Sequence, residues 1–218
     1  MKTTFQALLA IILIPSTFII AQGPYGFNSA YVEKTTETNT SGIIISTSEI
    51  IYIENGGNLV RREVEQEQSM PMMNQVITSR SISITDPEYI ITWDPDTNTG
   101  TRMANPVNDA FQNMTDDQAQ QFGQDMADAM NTEITETGTG EVAGVMCIIN
   151  TAVTNMMGMN ITTTTWTYEN FLMKSTSEGA VTSNEEVSLF NEGVDNDPGL
   201  FIVDNNVTIT DVASPFGN

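Results

Sequence analysis

Gly42-Ile-Ile-Ile-Ser-Thr-Ser-Glu-Ile-Ile-Tyr-Ile-Glu54, followed by Asn55-Gly-Gly-Asn58 and Leu59-Val-Arg-Arg-Glu-Val-Glu65, is the stretch that decides the fold. The first segment is crowded with β-branched and aromatic side chains, which fit a pleated, half-buried surface. The four residues after it supply the positive φ angles of a tight turn. The third segment alternates, with Val60 and Val64 on one side and Arg61, Glu63 and Glu65 on the other. The three together are a β-hairpin.

Outward from this hairpin the same chemistry repeats. Val76–Ile84 and Tyr89–Trp93 read as strands divided by Asp86-Pro87, and Thr101–Met103 returns after the polar loop Asp94–Gly100. Further strands are expected over Val142–Thr151, Ile161–Tyr168, Phe171–Lys174, Ala180–Phe190 and Val207–Val212, with a turn at Asp195–Gly199. Threonine-rich alternation, as in Thr162–Thr165, means one packed and one wetted face, which suits antiparallel sheets. Between the strand groups the period changes. Asn105-Pro106 is a helix start, and Val107, Ala110, Phe111 and Met114 recur at helical spacing. Thr115-Asp-Asp-Gln118 starts a second stripe, carried by Ala119, Phe122, Met126, Ala129 and Met130. Two short amphipathic helices are therefore expected over 105–131. The fold class is mainly β with a short α insert.

The N-terminus reads as an address. Lys2 precedes an apolar run from Phe5 to Ala21 that Pro15-Ser16 interrupts. At about 17 residues it lies at the lower limit for a membrane span, and a small residue at its end suits cleavage. The expected organisation is a signal peptide over 1–21 and a single domain over 22–218, exported to a periplasmic or extracellular space with no integral membrane span after cleavage.

Composition closes many routes to function. The 218 residues hold 7 Lys+Arg against 28 Asp+Glu, a net charge of −21, so nucleic-acid binding is excluded on electrostatic grounds. Histidine is absent and Cys147 is the one cysteine, which removes histidine-based triads, Cys-His nucleophiles and His/Cys zinc sites. No intramolecular disulfide can form, and Cys147, among Val145, Met146, Ile148 and Ile149, suits a buried strand position. Asp94-x-Asp96-x-Asn98-x-Gly100 approaches a calcium loop, but Thr99 and Asn105 stand where such a loop has its glycine and bidentate glutamate; a hairpin connection explains it without an ion. Met70, Met72 and Met73, and Met156, Met157 and Met159, form two clusters. Thioethers bind Cu(I), yet methionine is also an adaptable apolar filler, and packing or lipid-facing use is the reading adopted. The acidic residues fall mostly in turns and on polar faces, as in a solvated surface. Asn-x-Ser/Thr triplets at Asn39, Asn113, Asn160 and Asn206 matter only in a glycosylating pathway.

Several ordered stretches carry a resemblance. They are Tyr89-Ile-Ile-Thr-Trp-Asp-Pro-Asp-Thr-Asn-Thr-Gly-Thr-Arg-Met103, Asn105-Pro106 with the Thr-Asp-Asp-Gln helix start, Glu141-Val-Ala-Gly-Val-Met-Cys147, Trp166 with Leu172-Met-Lys174, and Pro198-Gly-Leu-Phe201. Over residues 43–212 the order resembles the LolA/LppX-like exported proteins, in an uncharacterised periplasmic branch. The resemblance implies a curved antiparallel sheet, an open half-barrel, with short helices on its concave face, and shelter there for acyl chains or lipoproteins. The chain is more acidic than such a carrier requires, and Arg61, Arg62, Arg80 and Arg102 match no cargo-gating role. The expected activity is non-enzymatic binding of a hydrophobic small molecule or acyl chain, without cofactor or metal. Trp93, Met103, Phe111, Phe122, Met126, Met130 and Trp166 are the expected lining of the groove or of the core, core being the ordinary role of any single member. A Met-rich copper-handling protein, or a structural surface-interaction protein without ligand, are the alternatives.

Overall fold

The computed structural model describes residues 25–40, 42–105, 132–156, 159–179 and 181–213. Among the described residues, twelve strands form one sheet. They are β1 (Ala30–Thr40), β2 (Ile43–Glu54), β3 (Leu59–Met70), β4 (Gln75–Thr85), β5 (Tyr89–Asp94), β6 (Thr99–Ala104), β7 (Thr132–Val142), β8 (Val145–Met156), β9 (Met159–Tyr168), β10 (Phe171–Glu178), β11 (Thr182–Glu192) and β12 (Thr208–Asp211). Their spatial order is β12-β6-β5-β4-β3-β2-β1-β11-β10-β9-β8-β7. Two antiparallel meanders, β1–β6 and β7–β11, are thus joined by the pairing of β1 with β11. The chain leaves the described residues after Asn105, at the end of β6, and resumes at Thr132, on the opposite edge of the sheet. The helices expected over 105–131 lie outside the described residues, as does the expected signal peptide.

The hairpin expected over 42–65 is present. Asn55 and Gly56 adopt φ of 53° and 68°, and a short 3-10 turn, Asn55–Gly57, joins β2 to β3. Three expectations need correction. β1 and β7 are strands where none was expected, because AYVEKTTETNT and TEITETGTGEV are too polar to signal burial. Val142 belongs to β7 rather than to the next strand, since Ala143 and Gly144, at φ of 48° and 83°, make the turn into β8. The sheet is not wholly antiparallel: β12 pairs in parallel with β6. Cys147 is buried in β8, at 1% exposed, as expected, while its neighbours Met146 and Ile148 are 62% and 48% exposed, because strand alternation sends neighbours to opposite faces.

The sheet curls. Cα atoms of β7 and β11 approach within 8 Å although β8, β9 and β10 lie between them. One core cluster draws Val60 of β3, Ile51 and Ile53 of β2, Ala30 and Val32 of β1, Val187 and Phe190 of β11, Phe171 and Met173 of β10, Cys147 of β8 and Val142 of β7. Residues from strands seven places apart share one cluster only because the sheet wraps around it. That side is the inner face. Burying a side chain such as Ile51 or Ile53 contributes about 1.5–3 kcal/mol.

After β11 the chain passes along the ends of the central strands. Gly193 N donates to Ser29 O, Asn196 Nδ2 donates to Ile53 O, and Arg61 Nη1 donates to Leu200 O in the 3-10 turn Pro198–Phe201. It then delivers β12 to the far edge, where Arg102 and Asp211 make a two-pronged ion pair at 2.7 and 3.1 Å.

Candidate functional site

Register divides the inner face into two ends. From β1, β2 and β3 it takes Ala30, Val32, Lys34, Thr36 and Thr38, then Ile53, Ile51, Glu49, Thr47, Ile45 and Ile43, then Val60, Arg62, Val64, Gln66 and Gln68. One end is apolar, the other mostly hydroxyl and amide. Charge separates them.

Lys34 Nζ lies 2.9 Å from Glu49 Oε2 and 2.7 Å from Glu185 Oε1, and Arg62 Nη1 lies 2.8 Å from Glu49 Oε1. The row Arg62–Glu49–Lys34–Glu185 therefore crosses β3, β2, β1 and β11. The side chains are 19, 11, 12 and 9% exposed. Burial alone would raise the Glu49 carboxyl. The Arg62 and Lys34 charges and their hydrogen bonds outweigh it and hold the group at about 2, below its ordinary 4.5. For Arg62, burial is likewise outweighed by Glu49, and its basicity rises. Both Glu49 oxygens are engaged, and Lys34 bridges two carboxylates. Charges so paired offer neither a free base nor a nucleophile. This row was not anticipated from sequence; its signal was the even spacing of Glu49 from Ile51 and Ile53, and of Lys34 from Val32, which puts all of them on the buried side.

On the apolar side of the row the hollow is full. Tyr25 and Phe27, from the segment before β1, stack at 5.2 Å between ring centroids. Phe27 is 3% exposed and meets Phe171, Phe190 and Tyr168 at 6.0, 5.4 and 6.5 Å. Burial raises the Tyr25 phenol, with Arg62, Lys34 and Glu49 as its charged neighbours. Neither ring was anticipated as part of a site.

The other end is more open. Across β1 and β11, Thr38 and Ser183 pair their hydroxyls at 3.1 Å. Partly exposed aliphatics stand on the inner face of β2–β4. Ile43 and Ile45 are half-buried, Met70 likewise, and Ile77, across Gln68 from Ile45, is 45% exposed.

Three of the seven expected lining residues are described. Trp93 is 3% exposed, but its register through Ile82 and Glu63 puts it on the outer face, with Arg61 5.6 Å above its ring. Met103 pairs through Ile90 and Thr85 with Val60, hence on the inner face. Trp166 packs against the core cluster with Lys174 Nζ 5.5 Å from its ring. Phe111, Phe122, Met126 and Met130 lie outside the described residues. The arginines without a gating role have structural ones: Arg61 caps Trp93, Arg62 joins the ion row, Arg80 pairs with Asp96 at 3.2 Å, and Arg102 holds β12.

The loop Asp94–Gly100 is a hairpin turn. Asp94 Oδ1 accepts from Asp96 N and Thr97 N at 2.7 and 3.3 Å, which lowers its carboxyl, and Asp96 turns to Arg80. Among the described residues no group of three His, Cys, Asp or Glu side chains is placed to hold a metal ion. Of the methionine clusters, Met72 is 95% exposed in the turn Pro71–Met73, whereas Met157 lies outside the described residues. No helix among the described residues is long and apolar enough to cross a membrane.

No protein family and no curated protein matches the sequence. Similarity to solved structures is partial. An uncharacterized conserved protein from Thermus thermophilus is similar at a TM-score of 0.48 and 8% identity, over 90% of this chain and 96% of that one. MucB in complex with MucA(peri) is similar at 0.45 and 12%, over 89% and 60%. LprF from Mycobacterium bovis is similar at 0.37 and 11%, over 88% and 94%. The site is therefore read from its own residues.

Proposed function

We propose that this chain is an exported, non-enzymatic protein that holds a lipid-like or other hydrophobic ligand at the open end of the curved sheet. The observation that carries this reading is the contrast across the ion row. On one side the apolar residues are covered by the chain's own rings; on the other Ile43, Ile45, Met70 and Ile77 keep accessible surface on the inner face. An acyl chain laid over them gains about 25 cal/mol for each Å² of apolar surface removed from water. The paired charges close the floor of the site, and the neighbouring Thr36, Gln66 and Gln68 offer hydrogen bonds to a polar head. No covalent step is involved.

The test is to purify the protein under native conditions, extract it with organic solvent, and measure co-purified lipid and bound copper by mass spectrometry. Lipid near one equivalent, lost on Ile45→Asp with Ile77→Asp, is the expected result. Stoichiometric copper without lipid, or neither, overturns the reading.

A further inference from the structure

The closed end of the hollow is filled in an unusual way. Its two central rings come from neither meander but from the non-strand segment Tyr25-Gly26-Phe27. The segment is seated like a bound peptide. Tyr25 N donates to Gly56 O, Gly26 N donates to Glu169 O at 3.1 Å, and Asn28 O accepts from Gly56 N at 2.8 Å. The strands around the seat are hydrogen-bonded to one another independently of it.

The seat is selective in shape. A Cβ on Gly57 would lie 2.7 Å from the Tyr25 ring, so the floor beneath that ring tolerates no side chain. A Cβ on Gly26 would meet the carboxyl end of the exposed Glu169 side chain, which can swing aside, so the selection lies in the two rings rather than in the residue between them. Phe27 meets Phe171 and Phe190 at steep angles of 72° and 80°, the edge-to-face geometry that aromatic pairs favour. Tyr25 reaches toward the ion row, where Arg62 and Lys34 are its charged neighbours.

We infer that this end of the hollow is a peptide-binding groove for an extended segment with aromatic residues two positions apart, and that Tyr25–Phe27 occupies it as a detachable plug. A partner segment of the same chemistry takes the groove when the plug leaves. The inference goes beyond the proposed lipid site, because the two ends are separated by the ion row and have different occupants.

The experiment uses the full chain and a fluorescent peptide of sequence Gln-Gly-Pro-Tyr-Gly-Phe-Asn-Ser, matching residues 22–29, followed by anisotropy. Against the unaltered chain the peptide competes with the plug and binds weakly. Against the Phe27→Ala chain, whose own plug is impaired, it is expected to bind at least tenfold more tightly at one equivalent. A peptide with alanine in place of both aromatic residues is expected to lose that gain; because this change is in the ligand, it cannot be mistaken for misfolding of the protein. Equal binding to both chains, or equal binding of both peptides, overturns the inference. Should Phe27→Ala fail to fold, Phe27→Leu is used with the same two peptides and the same criteria. Displacement of bound lipid is read separately, so loss of one activity does not decide the other.

Discussion

The two ends of the hollow are built from the same strands and behave as different materials. In β2, Ile51 and Ile53 are fully buried at one end, while Ile43 and Ile45, equally apolar and in the same phase, stay partly exposed at the other. Side-chain type does not explain this. What differs is company: Ile51 faces rings and aliphatics from the curled second meander, whereas Ile45 stands beside Thr38 and Gln68. Burial is therefore concentrated at the closed end, where the chain's own rings fill the hollow, and the open end keeps accessible apolar surface.

The sharpest way to break this division is to cut the ion row between the ends. Lys34→Met leaves Glu185 without its cation and Glu49 with only Arg62. Removing one partner of a buried ion set costs about 3–5 kcal/mol, read as a lower urea midpoint. Replacing the whole row, with Arg62→Met, Glu49→Leu and Glu185→Leu added, should recover most of that loss. A row whose apolar replacement is as costly as the single change would refute the view that desolvation offsets most of its attraction.

Next in size is the contrast within β2. Ile51→Ala should cost about 3–4 kcal/mol, because a fully enclosed site leaves a cavity. Ile45→Ala, whose side chain already meets solvent, should cost under about 1 kcal/mol. Equal losses would mean that the ends are one core.

Acid gives a third measure. Glu49 is held at about 2 against an ordinary 4.5, so its contribution is complete above about pH 4.5 and falls as pH drops toward 2. The depression corresponds to about 3 kcal/mol. A urea midpoint that falls between pH 6 and pH 3, and falls less in the fully apolar row variant, is the expected outcome; the same slope in both would assign the loss to other carboxylates.

Most of the sheet was legible because its strands carry local signals. Ile43–Ile45 with Ile50–Ile53, Ile161–Tyr168 and Val76–Ile84 announce themselves by β-branched density, and Asn55-Gly56-Gly57 by its turn chemistry. β1 was not legible, although it lies at the centre of the sheet. Its Thr and Glu residues face outward or sit at the hydroxyl-lined open end, and its buried side is only Ala30, Val32, Lys34 and Thr38, where a lysine interrupts the apolar phase. That lysine makes sense once Glu49 and Glu185 arrive from β2 and β11, and no reading of one segment reveals partners that distant in sequence. Trp93 is buried, as a groove or core residue would be, but its pairing through Ile82 and Glu63 sets it on the outer face beneath Arg61, and burial alone does not say on which face a residue lies.

The smallest effect is expected at the far edge, where β12 adds four residues to β6. Arg102 grips both oxygens of Asp211, yet the side chains are 42% and 71% exposed. Solvent and salt screen such a pair, and exposed ion pairs contribute little to global stability. Arg102→Ala should leave the urea midpoint unchanged. It should nevertheless speed amide exchange at Thr208, whose N–H bonds Asn98 O, and at Val212, whose N–H bonds Arg102 O, because a short parallel strand has few other anchors. Exchange at Ile51 and Ile53 should not respond. If the closed end loosened together with β12, the tail would be part of the same cooperative unit, and the separation of scaffold from edge drawn from the burial pattern would fail.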